Sequence, residues 1–201
     1  MKRNQYTLGK PVSFKGNGLH SGIPVTLTMR PAPAGSGIIF RRIDLTGTPE
    51  VPAKSEFVTN TLRATTLERG DAKVFTVEHI LSALFALRID NCILEMNAPE
   101  PPVADGGAPT FSQMILEAGI MELEEQTDIL TLETSVAVYE DNKFITALPY
   151  DGLRITFTSI NPHPLLGTQM KDFTIDKETY IREIAPSRTI GFTWELEAMR
   201  Q

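Results

Sequence analysis

The sequence predicts an α+β fold of two similar units of helices packed on β-sheets, residues 1–125 and 126–201, with the second unit incomplete. In the first unit, strand-like segments precede two amphipathic helices, an order typical of α+β folds. Alternating strands begin again after an acidic stretch, residues 122–128, which we interpret as a linker. The layout of strand, turn with Pro and Gly, and strand occurs at residues 25–40 and again at 144–157, which indicates a weak internal duplication.

Hydrophobic alternation and turn residues define the predicted strands. Residues 25–29 alternate apolar and polar side chains, the period of a half-buried strand, and residues 30–37 carry the Pro and Gly typical of turns. Residues 38–40 are therefore predicted to return as the second strand of a hairpin. Residues 91–96 are predicted to form a buried strand, in which Cys92 is a core residue and not a nucleophile.

Two helices are predicted from apolar stripes at helical spacing. The first begins near Thr76, which is a suitable N-cap, and it places Glu78 in the first turn, where the helix dipole favours a negative charge. The second covers residues 110–118 and ends at Gly119. Residues 194–201 favour a further helix without a stop signal, so we expect the chain to be cut inside a helix.

Composition and charge exclude several classes of protein. The 201 residues include 25 acidic and 19 basic side chains, for a net charge of −6, and no long basic run, so we expect no nucleic-acid partner. The single cysteine cannot form an internal disulfide. No apolar run approaches the ~20 residues that a transmembrane helix needs. We therefore expect a cytoplasmic protein without a transmembrane segment, and no protein partner is predicted.

The three histidines and their neighbours are the first candidates for chemistry. Glu78 and His79 are adjacent, and they combine a possible general base with a common metal ligand. The zinc motif H-E-x-x-H is absent, and such a pair also arises by chance, so a structural role stays open. His20 lies in a glycine-rich turn, residues 16–22, which a tight hairpin explains better than a phosphate cradle. His163 lies between two prolines and is either a ligand or a surface residue.

A second candidate is the short stretch at residues 188–192. Its threonine hydroxyl could help to bind an oxyanion, and its phenylalanine could stack on a base or a sugar. An ordinary buried strand with a glycine for close packing explains the same residues.

Six short motifs occur in a fixed order along the chain. They are GLHSG (residues 18–22), TVEH (76–79), DN (90–91), NAPE (97–100), DG (105–106) and SRTIGF (187–192). Each is weak alone, but their order and spacing together are specific. From about residue 5 onward, the chain resembles the zinc-dependent UDP-3-O-acyl-N-acetylglucosamine deacetylases of lipid A biosynthesis.

The resemblance implies an active site between two similar α+β units and hydrolysis of the N-acetyl group of a UDP-sugar that carries a hydroxyacyl chain. By motif match, His79 is a ligand of the zinc cofactor and Glu78 is the general base for the attacking water. Thr189 matches the threonine whose hydroxyl stabilises the tetrahedral oxyanion. The residues implied in substrate binding are Leu62, which lines the active-site region, Phe192 near the nucleotide end, and His20.

The chain departs from the family pattern in its last part. A typical member continues into a helix with a His and an Asp as further zinc ligands, and then into a loop with a catalytic histidine. No histidine follows His163 here, and Ile190 stands where some members carry Phe. A catalytic zinc takes about three protein ligands. We therefore expect the remaining zinc ligands to be absent from this chain and the isolated chain to be inactive.

Two other functions stay open from the sequence. The same fold could serve as a non-catalytic binding or assembly module that keeps the acyl-chain or nucleotide contacts. More remotely, His20, His79, His163 and a carboxylate could form a different metal site.

Overall fold

A five-stranded sheet lies at the centre of residues 2–128, which we call the N-terminal part. The computed structural model describes residues 2–161 and 163–192 and has the α+β class that the sequence predicts. The sheet contains β2 (Val12–Asn17), β3 (Pro24–Pro31), β4 (Ile38–Arg42), β5 (Glu50–Pro52) and β9 (Cys92–Met96). Their order is β2-β3-β9-β4-β5, and only the β4–β9 pair is parallel.

The hairpin predicted over residues 25–40 is wrong, because β9 lies between β3 and β4. Leu94 of β9 is opposite Met29 on one side and Phe40 on the other, and all three side chains are fully buried. The Gly37 N–H donates to the Asn91 side chain at 3.0 Å, and the Gly37 carbonyl accepts from Cys92 at 3.0 Å. The turn therefore leads the chain onto β9 instead of closing against β3. The hairpin predicted for residues 16–22 is confirmed, since β2 pairs directly with β3.

The two predicted helices are confirmed. They are α1 (Glu78–Ala86) and α2 (Pro109–Ala118), and Gly119 follows α2 with a φ of 75°. Their apolar faces join one core with the five-stranded sheet. A small sheet of β6 (Val58–Asn60), β7 (Thr66–Arg69) and β8 (Ala72–Phe75) leads into α1. The core residues contributed by the helices and their flanks are Val77, Ile80, Ala83, Leu84, Leu87, Ala108, Phe111, Met114, Ile115 and Ala118.

The interpretation of residues 122–128 as a linker is wrong. Strand β10 (Ile120–Asp128) pairs antiparallel with β1 (Lys2–Leu8), which lies more than 100 residues earlier in the chain. Glu122 accepts hydrogen bonds from Asn4 Nδ2 at 2.5 Å and from the Tyr6 hydroxyl at 3.0 Å. The carboxylates that suggested a linker are thus side chains of an exposed paired strand. The division at residue 125 falls inside β10, and the assignment of two domains stays a prediction.

The hairpin predicted over residues 144–157 is also wrong. Strand β12 (Lys143–Ala147) pairs with β11 (Val136–Glu140), and β13 (Arg154–Ile160) pairs with β14 (Thr168–Thr174). Asp141, in the two-residue turn before β12, has a φ of 51°, which suits a tight hairpin. Neither hairpin used to infer the duplication is formed, so two similar units stay a prediction.

A short helical segment follows β14 and packs on the N-terminal part. It comprises α3 (Lys177–Thr179) and a π-helical turn, Tyr180–Ile184, and it buries Tyr180 and Ala185. The helix predicted at residues 194–201 lies outside the described residues. Among the helices that are described, none is long and apolar enough to cross a membrane.

Candidate functional site

Glu78 and His79 are the first two residues of α1, and both are half-buried. The N-cap position is held by Val77, so the prediction that Thr76 caps the helix is wrong. Thr76 instead has a φ of 58°, and its hydroxyl donates to Glu100 at 2.8 Å. The hydroxyl donates to the buried carboxylate instead of accepting a hydrogen bond from an N–H of the first turn. The reason is that a hydrogen bond to a charged acceptor is stronger than one between neutral groups.

The loop that contains Leu62 is tied to the carboxylate of Glu78. The Thr65 N–H donates to Glu78 Oε2 at 3.1 Å, which fixes one carboxylate oxygen toward the loop. Leu62 lies three residues earlier, where its own N–H donates to Asn60 Oδ1 at 2.7 Å. Its side chain is 81% exposed. The structure therefore brings the loop that contains Leu62 to the carboxylate of Glu78, and the apolar side chain of Leu62 is accessible on that loop.

His79 is linked through its backbone to the helical segment that follows β14. Its carbonyl accepts a hydrogen bond from Ser82 Oγ at 2.8 Å, and Ser82 Oγ lies 2.8 Å from the hydroxyl of Tyr180. Burial raises the pKa of Tyr180 above its usual range, although hydrogen bonds with Ser82 and Ser112 oppose the shift. The phenol therefore stays neutral and connects the first turn of α1 to the π-helical turn.

Thr189 is held against the loop before α2. Its N–H donates to the Gly106 carbonyl at 3.0 Å, and the Ala108 N–H donates to the Ala185 carbonyl at 2.8 Å. Gly107 permits this approach, because a Cβ there would lie 2.8 Å from the Ala185 oxygen. Thr189 is exposed, so its hydroxyl is accessible to a ligand.

Phe192 lies beside His163, a pair that the sequence left separate. Their ring centroids are 5.6 Å apart with an interplanar angle of 30°. The His163 Nδ1 accepts the Leu165 N–H at 3.2 Å, which sets the orientation of the imidazole within its loop. The two rings form a small aromatic surface of the kind that a base or a sugar can contact.

His20 has an exposed side chain, but its backbone is bound to a residue that the sequence analysis assigned no role. Its N–H lies 3.1 Å from each carboxylate oxygen of Glu100, and the Ser21 N–H donates to Oε2 at 2.8 Å. Glu100 is fully buried. Its position in the NAPE motif was the one available signal, since an acidic residue among prolines is unusual in a core.

The described residues do not by themselves fit a catalytic zinc. Within residues 2–161 and 163–192, no group of three or more His, Cys, Asp or Glu side chains could hold a metal ion. A catalytic zinc takes about three protein ligands and an open position. His79 and Glu78 are therefore at most part of such a site. The remote alternative with His20, His79 and His163 is not formed in these ranges either.

Comparison with known proteins places these residues in a family. Residues 5–201 match the family model described as LpxC, UDP-3-O-acyl N-acetylglycosamine deacetylase.

The chain is 43% identical over 199 residues to the bifunctional enzyme LpxC/FabZ of Chlorobaculum tepidum, covering 98% of this chain and 42% of that protein. It is 41% identical over 199 residues to the UDP-3-O-acyl-N-acetylglucosamine deacetylase of Legionella pneumophila strain Corby, covering 98% of this chain and 66% of that protein. The protein of the same name from Geotalea uraniireducens is 40% identical over 195 residues, which are 97% of this chain and 64% of that protein. The chain thus spans less than two thirds of the length of these relatives, and it belongs to the UDP-3-O-acyl N-acetylglycosamine deacetylase family.

Proposed function

We propose that this chain supplies part of the active site of a zinc-dependent hydrolase, which removes the N-acetyl group from UDP-3-O-(hydroxyacyl)-N-acetylglucosamine in lipid A biosynthesis. Membership of the family and the names of the relatives support the reaction and the substrate class. The observation that carries the proposal is the first turn of α1, where Glu78 lies next to His79 and is oriented by the Thr65 N–H.

We assign Glu78 the role of general base. A carboxylate that removes a proton from water must lie within hydrogen-bond reach and keep a fixed orientation. The bond from Thr65 fixes Oε2, and Glu78 is the first residue of α1. On this assignment, Glu78 takes the proton of the water that attacks the acetyl carbonyl.

We assign His79 the role of one zinc ligand. The described residues contain no complete ligand set, and the relatives are longer than this chain. We therefore propose that the other ligands and the catalytic acid come from the part of the relatives' length that this chain does not match. On this basis the isolated chain has little or no deacetylase activity. The cytoplasmic location expected from the sequence stays a prediction.

The other predicted residues provide contacts for different parts of the substrate. We propose that the Thr189 hydroxyl stabilises the tetrahedral oxyanion, since backbone bonds hold this residue beside Gly106. The exposed side chain of Leu62 offers an apolar contact for the acyl chain. The ring pair of Phe192 and His163 offers a surface for the nucleotide, and His20 is a further contact on the turn before β3.

The test is a chimaera in which Gln201 is followed by the residues of the Legionella pneumophila relative that lie beyond the matched region. We expect it to release acetate from UDP-3-O-acyl-N-acetylglucosamine, whereas the isolated chain does not. Removal of a general base should lower kcat by about 10²–10⁴-fold in Glu78→Gln, with the zinc content unchanged. The matched control is Glu117→Gln, an exposed glutamate on α2 that should leave kcat unchanged.

The chimaera also tests the alternative function. A folded chimaera that binds one zinc and the UDP-sugar but releases no acetate would contradict the enzymatic proposal. It would favour the non-catalytic binding or assembly module, for which the incomplete ligand set among the described residues is the supporting observation.

A further inference from the structure

We propose that Glu100 is a positioning residue, whose buried carboxylate joins the glycine turn of residues 18–22 to Thr76 and so fixes the direction in which α1 presents Glu78 and His79. The inference rests on the proposed function for the roles of those two residues. Its structural part, the coupling between the turn and the start of α1, is testable without that function.

The glycine turn is folded around the carboxylate. The N–H groups of His20 and Ser21 both donate to Glu100, at 3.1 Å and 2.8 Å. A Cβ at Gly18 would overlap Glu100 Oε2 and Ser21 Oγ, so only glycine lets the backbone come this close. On the far side of the turn, the Val103 N–H donates to the Asn17 carbonyl at 2.9 Å. The turn is thus bonded to Glu100 and to the segment that follows it.

The start of α1 is bonded to the same carboxylate. The Thr76 hydroxyl donates to Glu100 Oε1 at 2.8 Å, and the Phe75 N–H donates to the Pro99 carbonyl at 3.0 Å. Thr76 has a φ of 58°, a conformation that is unfavourable for a β-branched residue. Such a backbone persists only where the surrounding structure holds it in place. Since Glu78 follows two residues later, a relaxation at Thr76 would redirect the first turn of the helix.

The chemistry of the contacts indicates more than filling of the core. Burial of a carboxylate is unfavourable, and a leucine would fill the space without that penalty. Burial alone would raise the pKa of Glu100, but hydrogen bonds from Ser21, His20 and Thr76 outweigh it and lower the pKa below its usual range. The group therefore stays charged. Charge-assisted hydrogen bonds are shorter and stronger than neutral ones, so the carboxylate holds two separate segments in a fixed relation.

The test compares Thr76→Val, which keeps the shape but removes the hydroxyl, with Thr76→Ser, which keeps the hydroxyl. Both are made in the 201-residue chain, and amide shifts and hydrogen exchange are recorded by NMR. We expect Thr76→Val to shift the amides of residues 65, 78 and 79 and those of residues 20 and 21. Loss of one hydrogen bond to a charged group should speed exchange at residues 20 and 21 by about tenfold or more. In Thr76→Ser, the amide shifts and exchange rates of both groups of residues should stay as in the parent chain. The control Thr110→Val should change neither group.

Shifts confined to residues adjacent to position 76, with the turn unchanged, would overturn the proposal. In the active chimaera, Thr76→Val should lower kcat by about tenfold at a nearly constant KM, because a small misplacement of catalytic groups is costly. A loss of activity no larger than the loss of folded protein would also overturn it. If the parent chimaera is inactive, the proposed function has failed, and the NMR comparison alone still decides whether Glu100 couples the two segments.

Discussion

Replacing Gly107 with alanine tests how the segment that carries Thr189 is attached to the rest of the protein. A Cβ at this position would lie 2.8 Å from the Ala185 oxygen, 3.1 Å from the Ser187 oxygen and 3.2 Å from Pro109 Cδ. Two of these atoms belong to the backbone and cannot rotate away. Either the segment shifts slightly and stays attached, or it separates from the N-terminal part.

The magnitudes favour a small shift. Forcing an extra methyl group into a packed site costs about 1–3 kcal/mol. Separation would break two hydrogen bonds, from Ala108 to Ala185 and from Thr189 to Gly106, at about 1 kcal/mol each. It would also expose the buried ring of Tyr180, which adds about 1.5–3 kcal/mol. Since separation costs more, we expect the segment to remain attached and Thr189 to be displaced.

The assay is thermal unfolding of the 201-residue chain, with kcat of the chimaera as a second measurement. For a protein of this size, about 1–3 kcal/mol corresponds to a fall in Tm of about 2–12 °C. Gly191→Ala is the matched control, because a Cβ at Gly191 meets no atom within 4 Å, and its Tm should stay unchanged. On the proposal that the Thr189 hydroxyl stabilises the oxyanion, its displacement in Gly107→Ala should lower kcat by about 100-fold. If Gly107→Ala unfolds at the same temperature as the control, the close packing described here is refuted.

Three further predictions concern buried groups. Burial raises the pKa of the Cys92 thiol to about 12, so iodoacetamide at pH 8 should alkylate it only after denaturant is added, and prompt alkylation of the folded chain would contradict its burial. The pKa of Glu100 is lowered from its ordinary value of 4.5, so its stabilising contribution is present above that pH and is lost as the pH falls through the lower, folded-state pKa; urea titrations below pH 4.5 should show a flatter pH dependence for Glu100→Gln than for the parent chain. Tyr180→Phe removes the hydrogen bond to Ser82 and should lower the free energy of unfolding in urea by about 0.5–1.5 kcal/mol; an equally stable variant would show that this contact contributes nothing.

The sequence predicted the helices well because their signals are local. The apolar stripes of α1 and α2 repeat within a few turns, and most residues that the period selects are buried, with Leu81 only partly so. Gly119 likewise ends α2 where the sequence placed it. The N-cap of α1 was misplaced by one residue, from Val77 to Thr76, since the partner of the Thr76 hydroxyl lies 24 residues away and no local pattern reveals it.

The strand pairings were not predictable in the same way. Strand β9 lies between β3 and β4 in the sheet, although β5 to β8 and α1 separate it from β4 in the sequence. Strand β10 likewise pairs with β1, which is distant in the sequence. Both pairings depend on which strands bury apolar faces together, a property of the whole chain rather than of a window. The acidic residues of β10 suggested a linker, because its pairing partner β1 lies far away in the sequence and a local window does not include it.

The candidate site was predictable as a set of residues but not as an arrangement. The motifs identified Glu78, His79 and Thr189, and the structure adds how each is held. The roles of Glu100 and Tyr180 depend on contacts between segments far apart in the chain. The assignment of base, zinc ligand and oxyanion-stabilising residue stays a prediction that experiment must test.

The zinc content of the chimaera and of its His79→Ala variant is the measurement that tests the central proposal most directly. After dialysis against a weak chelator, we expect one tightly bound zinc per chimaera, retained in Glu78→Gln and lost in His79→Ala, and loosely bound zinc at well below one per chain in the isolated chain. One tight zinc per isolated chain, or zinc fully retained in His79→Ala, would contradict the proposal that His79 is one ligand of a site that other residues complete.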